Sequence, residues 1–169
     1  MLSKLQKGSC EVTSFACSPD NNSLACTAQD GSILIWDIQE NIPLVLSGEH
    51  TGVIQDFSIH KDKIATISLD KTVRIWDTSG KHEKTIDLFN CAGTSLSFNS
   101  DGSKLAASTD NGPVYIYSVS TGNCITSLEG HHRMVSKVEF CDQDKYAISL
   151  GHFDKTIRIW EVKDGSCLH

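Results

Sequence analysis

One stretch of the chain holds the residue types of a nucleophilic hydrolase, His50, Thr66 and Asp70, and His131, Ser149 and Asp154 follow in the same order at slightly wider spacing. In such an enzyme an imidazole takes the hydroxyl proton and a carboxylate orients the imidazole. The same three groups also suit a buried polar chain in which each satisfies the next. Catalysis needs an exposed nucleophile and an oxyanion site besides, and the sequence signals neither. The other chemistry open to the histidines is metal binding, through His131, His132, Cys141, His152, Cys167 and His169. Neighbours on an extended chain point to opposite faces, so His131 and His132 do not readily share an ion. Seven cysteines, at 10, 17, 26, 91, 124, 141 and 167, lack the paired short spacings of a zinc site or a disulfide framework. They read as reduced, small apolar residues, and no metal or cofactor is expected.

What must position these groups is visible as a repeat. SILIWDI at 32–38, TVRIWDT at 72–78, PVYIYSV at 113–119 and TIRIWEV at 156–162 place an aromatic at Trp36, Trp76, Tyr117 and Trp160, in steps of 40, 41 and 43 residues. Within each unit the apolar residues alternate with period two, and no segment keeps a helical period. In the second unit Ile54, Phe57 and Ile59 mark one strand, Ile64, Ala65 and Ile67 a second, Val73, Ile75 and Trp76 a third, and Ile86 with Leu88 a fourth. Asp30-Gly31, Asp70-Lys71, Asn111-Gly112 and Asp154-Lys155 supply the turn between second and third strands.

These features resemble the WD-repeat family over nearly the whole chain. Family units open on Gly-His and close on Trp-Asp, with an Asp six residues before the Trp; Asp30, Asp70, Asn111 and Asp154 keep that spacing ahead of Trp36, Trp76, Tyr117 and Trp160. The resemblance implies an all-β propeller of four four-stranded antiparallel blades, in one domain of residues 1–169 with repeats at about 8–47, 48–88, 89–129 and 130–169. It also implies that His50, Thr66, Asp70 and Trp76, and likewise His131, Ser149, Asp154 and Trp160, form structural hydrogen-bond chains. Ser68 is a second candidate for the hydroxyl of the first set. The segment from Leu150 to Phe153 is one residue longer than its counterpart, which predicts a bulge beside that hairpin. Repeat one has Cys26 at the hydroxyl position and no histidine. Repeat three has Ala107, Asn111 and Tyr117, with Cys91 and no histidine nearby, so it must rest on Leu96, Phe98, Leu105, Val114 and Ile116. Repeat two is accordingly expected to hold most of the stability.

Propellers typically close with 4 to 8 blades, and four is the bottom of that range. The expectation is an open arc or part of a larger ring, with self-association through open blade edges; the alternative is closure by an outer strand at 2–6.

The bulk composition narrows the function. With 39% hydrophobic and 21% charged residues the chain is neither disordered nor built to span a membrane. Met1 to Cys10 is too polar and lysine-rich for a signal peptide, so the expected location is cytoplasmic or nuclear. A net charge of −6 without a basic cluster speaks against nucleic acid. The leading reading is a non-catalytic scaffold for proteins or peptides. The resemblance carries partner binding to the top face, at Glu11, Thr13 and Gln29; Val53, Gln55 and Leu69; Ala92, Thr94 and Asp110; and Met134, Ser136 and Phe153. Val53, Leu69, Met134 and Phe153 are apolar where a solvated loop is usually polar. A second reading is the substrate receptor of a cullin-type ubiquitin ligase, docking through Arg158, Glu161 and Lys163, which with Asp154, Ile157, Ile159 and Trp160 fit the form found at one repeat end of such receptors. A third is a propeller hydrolase, for which only Glu11 and Asp56 offer carboxylates near the channel.

Overall fold

A computed structural model of the chain describes residues 12–17, 23–28, 31–37, 43–46 and 49–169. Alternating apolar runs separated by turn residues give β1 (Val12–Cys17), β2 (Ser23–Ala28), β3 (Ile33–Asp37) and β4 (Pro43–Leu46), then β5 (Ile54–His60), β6 (Lys63–Ser68), β7 (Thr72–Asp77) and β8 (His82–Asp87). They continue as β9 (Gly93–Phe98), β10 (Lys104–Thr109), β11 (Val114–Ser118) and β12 (Cys124–Leu128), and end with β13 (Val135–Cys141), β14 (Tyr146–Gly151) and β15 (Ile157–Glu161). Each group is one antiparallel sheet in chain order, so each repeat is a blade. Blade four gains its outer ladder from the last residues. The Ile159 and Leu168 amides donate to the His169 and Ile159 carbonyls, and the Glu161 amide donates to Ser166. The candidate closing strand at 2–6 lies outside the described residues.

The turn between second and third strands carries one residue of positive φ at the same place in every blade. Its left-handed residue is Gly31, Lys71, Gly112 or Lys155, with φ of 77°, 71°, 120° and 58°. Blade four differs in length. Ser68 and Thr72 enclose three residues, whereas the Gly151 amide donates to the Thr156 carbonyl around four. The extra residue enlarges the loop, and β14 pairs with β15 without a register shift, contrary to the bulge expected there.

The core lies between blades. Ala25, Ile33 and Ile35 of blade one meet Ile54, Phe57, Ile64 and Trp76 of blade two. Blade two in turn meets Leu96, Phe98, Leu105 and Tyr117 of blade three, and Ala106, Val114 and Ile116 meet Val135, Val138, Ala147 and Trp160 of blade four. Each blade thus has a leading face, which carries the repeat aromatic, and a trailing face, which receives the next blade. The innermost strands β1, β5, β9 and β13 pack in series, and no comparable contact returns from β13 to β1 among the described residues. Among the described residues the blades form an open arc.

Candidate functional site

In blade two, Trp76 Nε1–H donates to Thr66 Oγ1 at 3.1 Å. The Thr66 hydroxyl donates to His50 Nε2 at 2.8 Å, and His50 Nδ1–H donates to Asp70 Oδ2 at 2.8 Å. A carboxylate can only accept, which fixes the proton on Nδ1 and leaves Nε2 to accept. Burial lowers the His50 pKa and outweighs the pull of Asp70. Burial opposes ionisation of Asp70 as well, yet hydrogen bonds from Thr72 and His50 keep its carboxyl below the usual range. Ser68 takes no part in the indole–imidazole chain; its hydroxyl accepts from the Asp70 amide.

Blade four repeats the arrangement. Trp160 Nε1–H donates to Ser149 Oγ at 2.7 Å, Ser149 lies 2.7 Å from His131 Nε2, and His131 Nδ1 lies 2.6 Å from Asp154. The His131 hydrogen bond draws the Asp154 pKa down to about 2. Both chains are complete, so blade two is not singled out as the sequence suggested. Sequence reasoning missed three supports. The Thr72 and Thr156 hydroxyls donate to the second carboxylate oxygen at 2.6 and 2.9 Å, and their signal was the Asp-Lys-Thr triplet common to both repeats. Gly151 leaves room for the His131–Asp154 hydrogen bond, since a Cβ there would run into Asp154 and His131. With the Thr66 and Ser149 hydroxyls committed inside the blades, neither can serve as an exposed nucleophile.

Blade three dispenses with the chain: Leu96, Leu105, Val114, Ile116 and Tyr117 are buried, and the Tyr117 hydroxyl donates to the Asp87 carbonyl of blade two at 3.3 Å. In blade one Trp36 is buried with Cys26 and Leu34; Asp30 lies outside the described residues.

The candidate partner face has a recurring geometric basis. Each innermost strand slips by one residue against its neighbour near its start, between Val12 and Ser14, Ile54 and Asp56, Gly93 and Ser95, and Val135 and Lys137. The residues left unpaired are Thr13, Gln55, Thr94 and Ser136, and a bulge of this kind re-aims the side chain at Gln55, Thr94 and Ser136. Thr94 donates to the Val135 carbonyl and Ser136 to the Leu150 carbonyl, whereas Gln55 is exposed. Beside the bulges the 2–3 turns are tied to the preceding loops, with Leu69 N–H donating to Val53 O, Asp110 to Ala92 and His152 to Met134. By this register His152, not Phe153, is the counterpart of Leu69 and Asp110; the longer loop pushes Phe153 one position outward. Sequence alignment on the Asp therefore missed His152. Phe153 is 56% exposed, its ring edge-on to His152 at 4.9 Å with the Arg133 guanidinium 5.6 Å from its centre. His132, Arg133, Phe153 and Asp154 line a depression of about 320 Å³. Leu69 is 45% exposed at the same end, and Val53, Ala92 and Met134 are half-buried. Glu11 and Gln29 lie outside the described residues.

Asp56 is tied into the architecture. It accepts from Ser95 Oγ at 2.7 Å and the Leu96 amide at 3.3 Å, and pairs with Lys137 Nζ at 3.1 Å, linking β5, β9 and β13. Arg158 lies over the Trp160 ring at 5.9 Å with Nη1 3.8 Å from Cys167 Sγ, Glu161 is half-buried, and Lys163 is exposed. No three of the His, Cys, Asp and Glu side chains among the described residues are placed to hold a metal.

Residues 55–143, over half of the chain, match the model described as Anaphase-promoting complex subunit 4 WD40 domain, and residues 2–37 match WD domain, G-beta repeat. The chain belongs to the WD-repeat family. It is similar to apoptotic protease-activating factor 1 of Rattus norvegicus, at 26% identity over 89% of this chain and 12% of that protein. It is also similar to periodic tryptophan protein 2 of Arabidopsis thaliana, at 27% identity over 90% and 17%. Among solved structures, a chain of the mitotic checkpoint complex superimposes with a TM-score of 0.88 at 21% identity, over 97% of this WD-repeat chain and 52% of that one. The chain thus spans less than a fifth of those two relatives and about half of the solved chain.

Proposed function

We propose that this WD-repeat chain is a non-catalytic platform that binds peptide or protein segments at the end of the arc bearing the strand bulges. The family is generally one of interaction scaffolds. The observation that carries the reading is the convergence there of the bulged residues with exposed Leu69 and Phe153 beside half-buried Met134. Exposed apolar side chains among polar ones suit the anchors of a short peptide. His152 and Arg133 join the proposed face through their contacts with Phe153. Arg158 is engaged within its own blade, so the geometry does not favour ligase-adaptor docking. Asp56 is neutralised by Lys137, which speaks against a channel hydrolase. The acidic balance keeps nucleic acid out of the proposal, and a nuclear or cytoplasmic setting accords with it.

The test uses a peptide selected against the chain from a random display library, titrated calorimetrically against wild type and Phe153→Ala. The expected result is an affinity at least about tenfold lower, equivalent to about 1.4 kcal/mol, with an unchanged melting temperature. Unchanged affinity removes this face from the reading. A lowered melting temperature means that Phe153 supports the blade instead.

A further inference from the structure

The two ends of the arc carry complementary halves of one interface. On the trailing face of blade four, Ile148 pairs with Ile159 and Leu150 with Ile157. The same register positions hold Ala65 with Ile75 and Ile67 with Val73 in blade two, and Ala106 with Ile116 in blade three. Those residues are buried under the next blade. In blade four Ile157 is 65%, Leu150 42% and Ile148 37% exposed, and with Phe140 they line a depression of about 310 Å³. Burial along the second strand records the difference. Every residue from Ile64 to Ser68 and from Leu105 to Thr109 is buried, whereas β14 alternates.

The leading face of blade one is its counterpart. Phe15 pairs with Cys26, at the register position of Phe57 opposite Thr66, Leu96 opposite Ala107 and Val138 opposite Ser149. Those three are buried against the preceding blade, whereas Phe15 is 75% exposed. An aliphatic trailing face and an apolar leading face are the pair that meets at each of the three internal junctions. In one chain they lie at opposite ends of the arc and do not meet.

We propose that two copies of this chain associate head to tail, the trailing face of blade four of each against the leading face of blade one of the other. The product is a two-fold ring of eight blades. One rotation makes both junctions at once, so the assembly closes, and eight lies within the range that propellers adopt. The arc superimposes with a TM-score of 0.88 on about half of a solved chain, so its arrangement of blades is one that a chain of about twice its length also adopts.

Sedimentation of the purified chain tests this. The expected species has about 37 kDa, twice the 18.5 kDa of one chain. Ile157→Asp and Phe15→Asp alter exposed residues, so the far-ultraviolet dichroism of each should match wild type. Each places a charge in the junction and should weaken association by at least about a hundredfold. The deciding step mixes the two variants. Head-to-tail pairing leaves one intact junction, between the leading face of the Ile157→Asp copy and the trailing face of the Phe15→Asp copy, so a dimer should reappear. A wild type that stays at the mass of one chain overturns the proposal. So does a dimer broken by Ile157→Asp alone, which is pairing of trailing face on trailing face, or a ladder of assemblies growing with concentration, which is pairing without closure.

Discussion

Blades two and four hold a buried indole–hydroxyl–imidazole–carboxylate chain, and blade three, between them, has apolar packing in its place. At the site of the Thr66 and Ser149 hydroxyls blade three has Ala107, and its aromatic, Tyr117, turns its polar end outward to the neighbouring blade. Both solutions satisfy the groups at this position: the indole, hydroxyl and imidazole pair in the polar chain, and the Tyr117 hydroxyl reaches the Asp87 carbonyl. A polar chain adds direction: each donor has one acceptor, and the turn carboxylate ties the loop before the blade to the hairpin, through His50 and the Thr51 amide onto Asp70. Blade three makes a weaker version of that tie, from the Ala92 amide to Asp110 at 3.1 Å.

The largest expected effect separates these designs. Asp70→Ala leaves His50 Nδ1–H without its acceptor in a buried site and should cost about 2 kcal/mol or more. Asp154→Ala should cost a comparable amount, because the geometry around His131 is the same. Asn111 is exposed, and Asn111→Ala should cost less than half as much. Denaturant midpoints with unchanged slopes would measure all three. Equal losses at Asp70 and Asn111 would break the comparison.

The aromatics at steps of 40, 41 and 43 residues, with an acid or amide six residues ahead, made the blades and their number legible, because each marks a strand and its turn. Both hydrogen-bond chains were legible for the same reason. The register of the longer loop was not, since aligning on Asp154 places Phe153 where the backbone places His152. An extra residue can enlarge a turn or bulge a strand, and only the pairing around it distinguishes the two. The bulges at Thr13, Gln55, Thr94 and Ser136 were likewise hidden, because a one-residue slip is spread over strands that still alternate.

A smaller effect than Asp70→Ala should appear on mild acidification. His50 has a lowered pKa in the fold, so below its ordinary value of 6.5 the unfolded chain binds a proton that the folded blade resists. Stability is therefore full above about pH 6.5 and declines as the pH falls beneath it. Asp154 adds a second loss, from its ordinary value of 3.8 down to about 2, as its carboxylate is protonated out of the pair with His131. Denaturant midpoints from pH 7.5 to 5 should fall for wild type, and less steeply for His50→Gln, whose side chain does not titrate. Parallel slopes for the two would remove His50 as the source.

The smallest expected effect concerns the turn slot that the blades fill in two ways. Gly31 and Gly112 take the left-handed conformation freely, whereas Lys71 and Lys155 hold it at φ 71° and 58° against the clash of their own Cβ. Lys71 gains a contact from its Nζ to Asn90 Oδ1 at 2.6 Å, but that contact is exposed and worth little. Lys71→Gly relieves about 1 kcal/mol of backbone strain and returns part of it through the greater freedom of glycine in the unfolded chain. The net gain should be about 0.5 kcal/mol, seen as a raised denaturant midpoint. The reverse exchange is not equivalent. A Cβ at Gly112, with φ 120°, would run into the His131 carbonyl, so Gly112→Ala should lower the midpoint by more than Lys71→Gly raises it. A loss at Lys71→Gly would show that the Asn90 contact outweighs the strain, and that a side chain holds the lysine turn of blade two in a conformation that glycine takes freely.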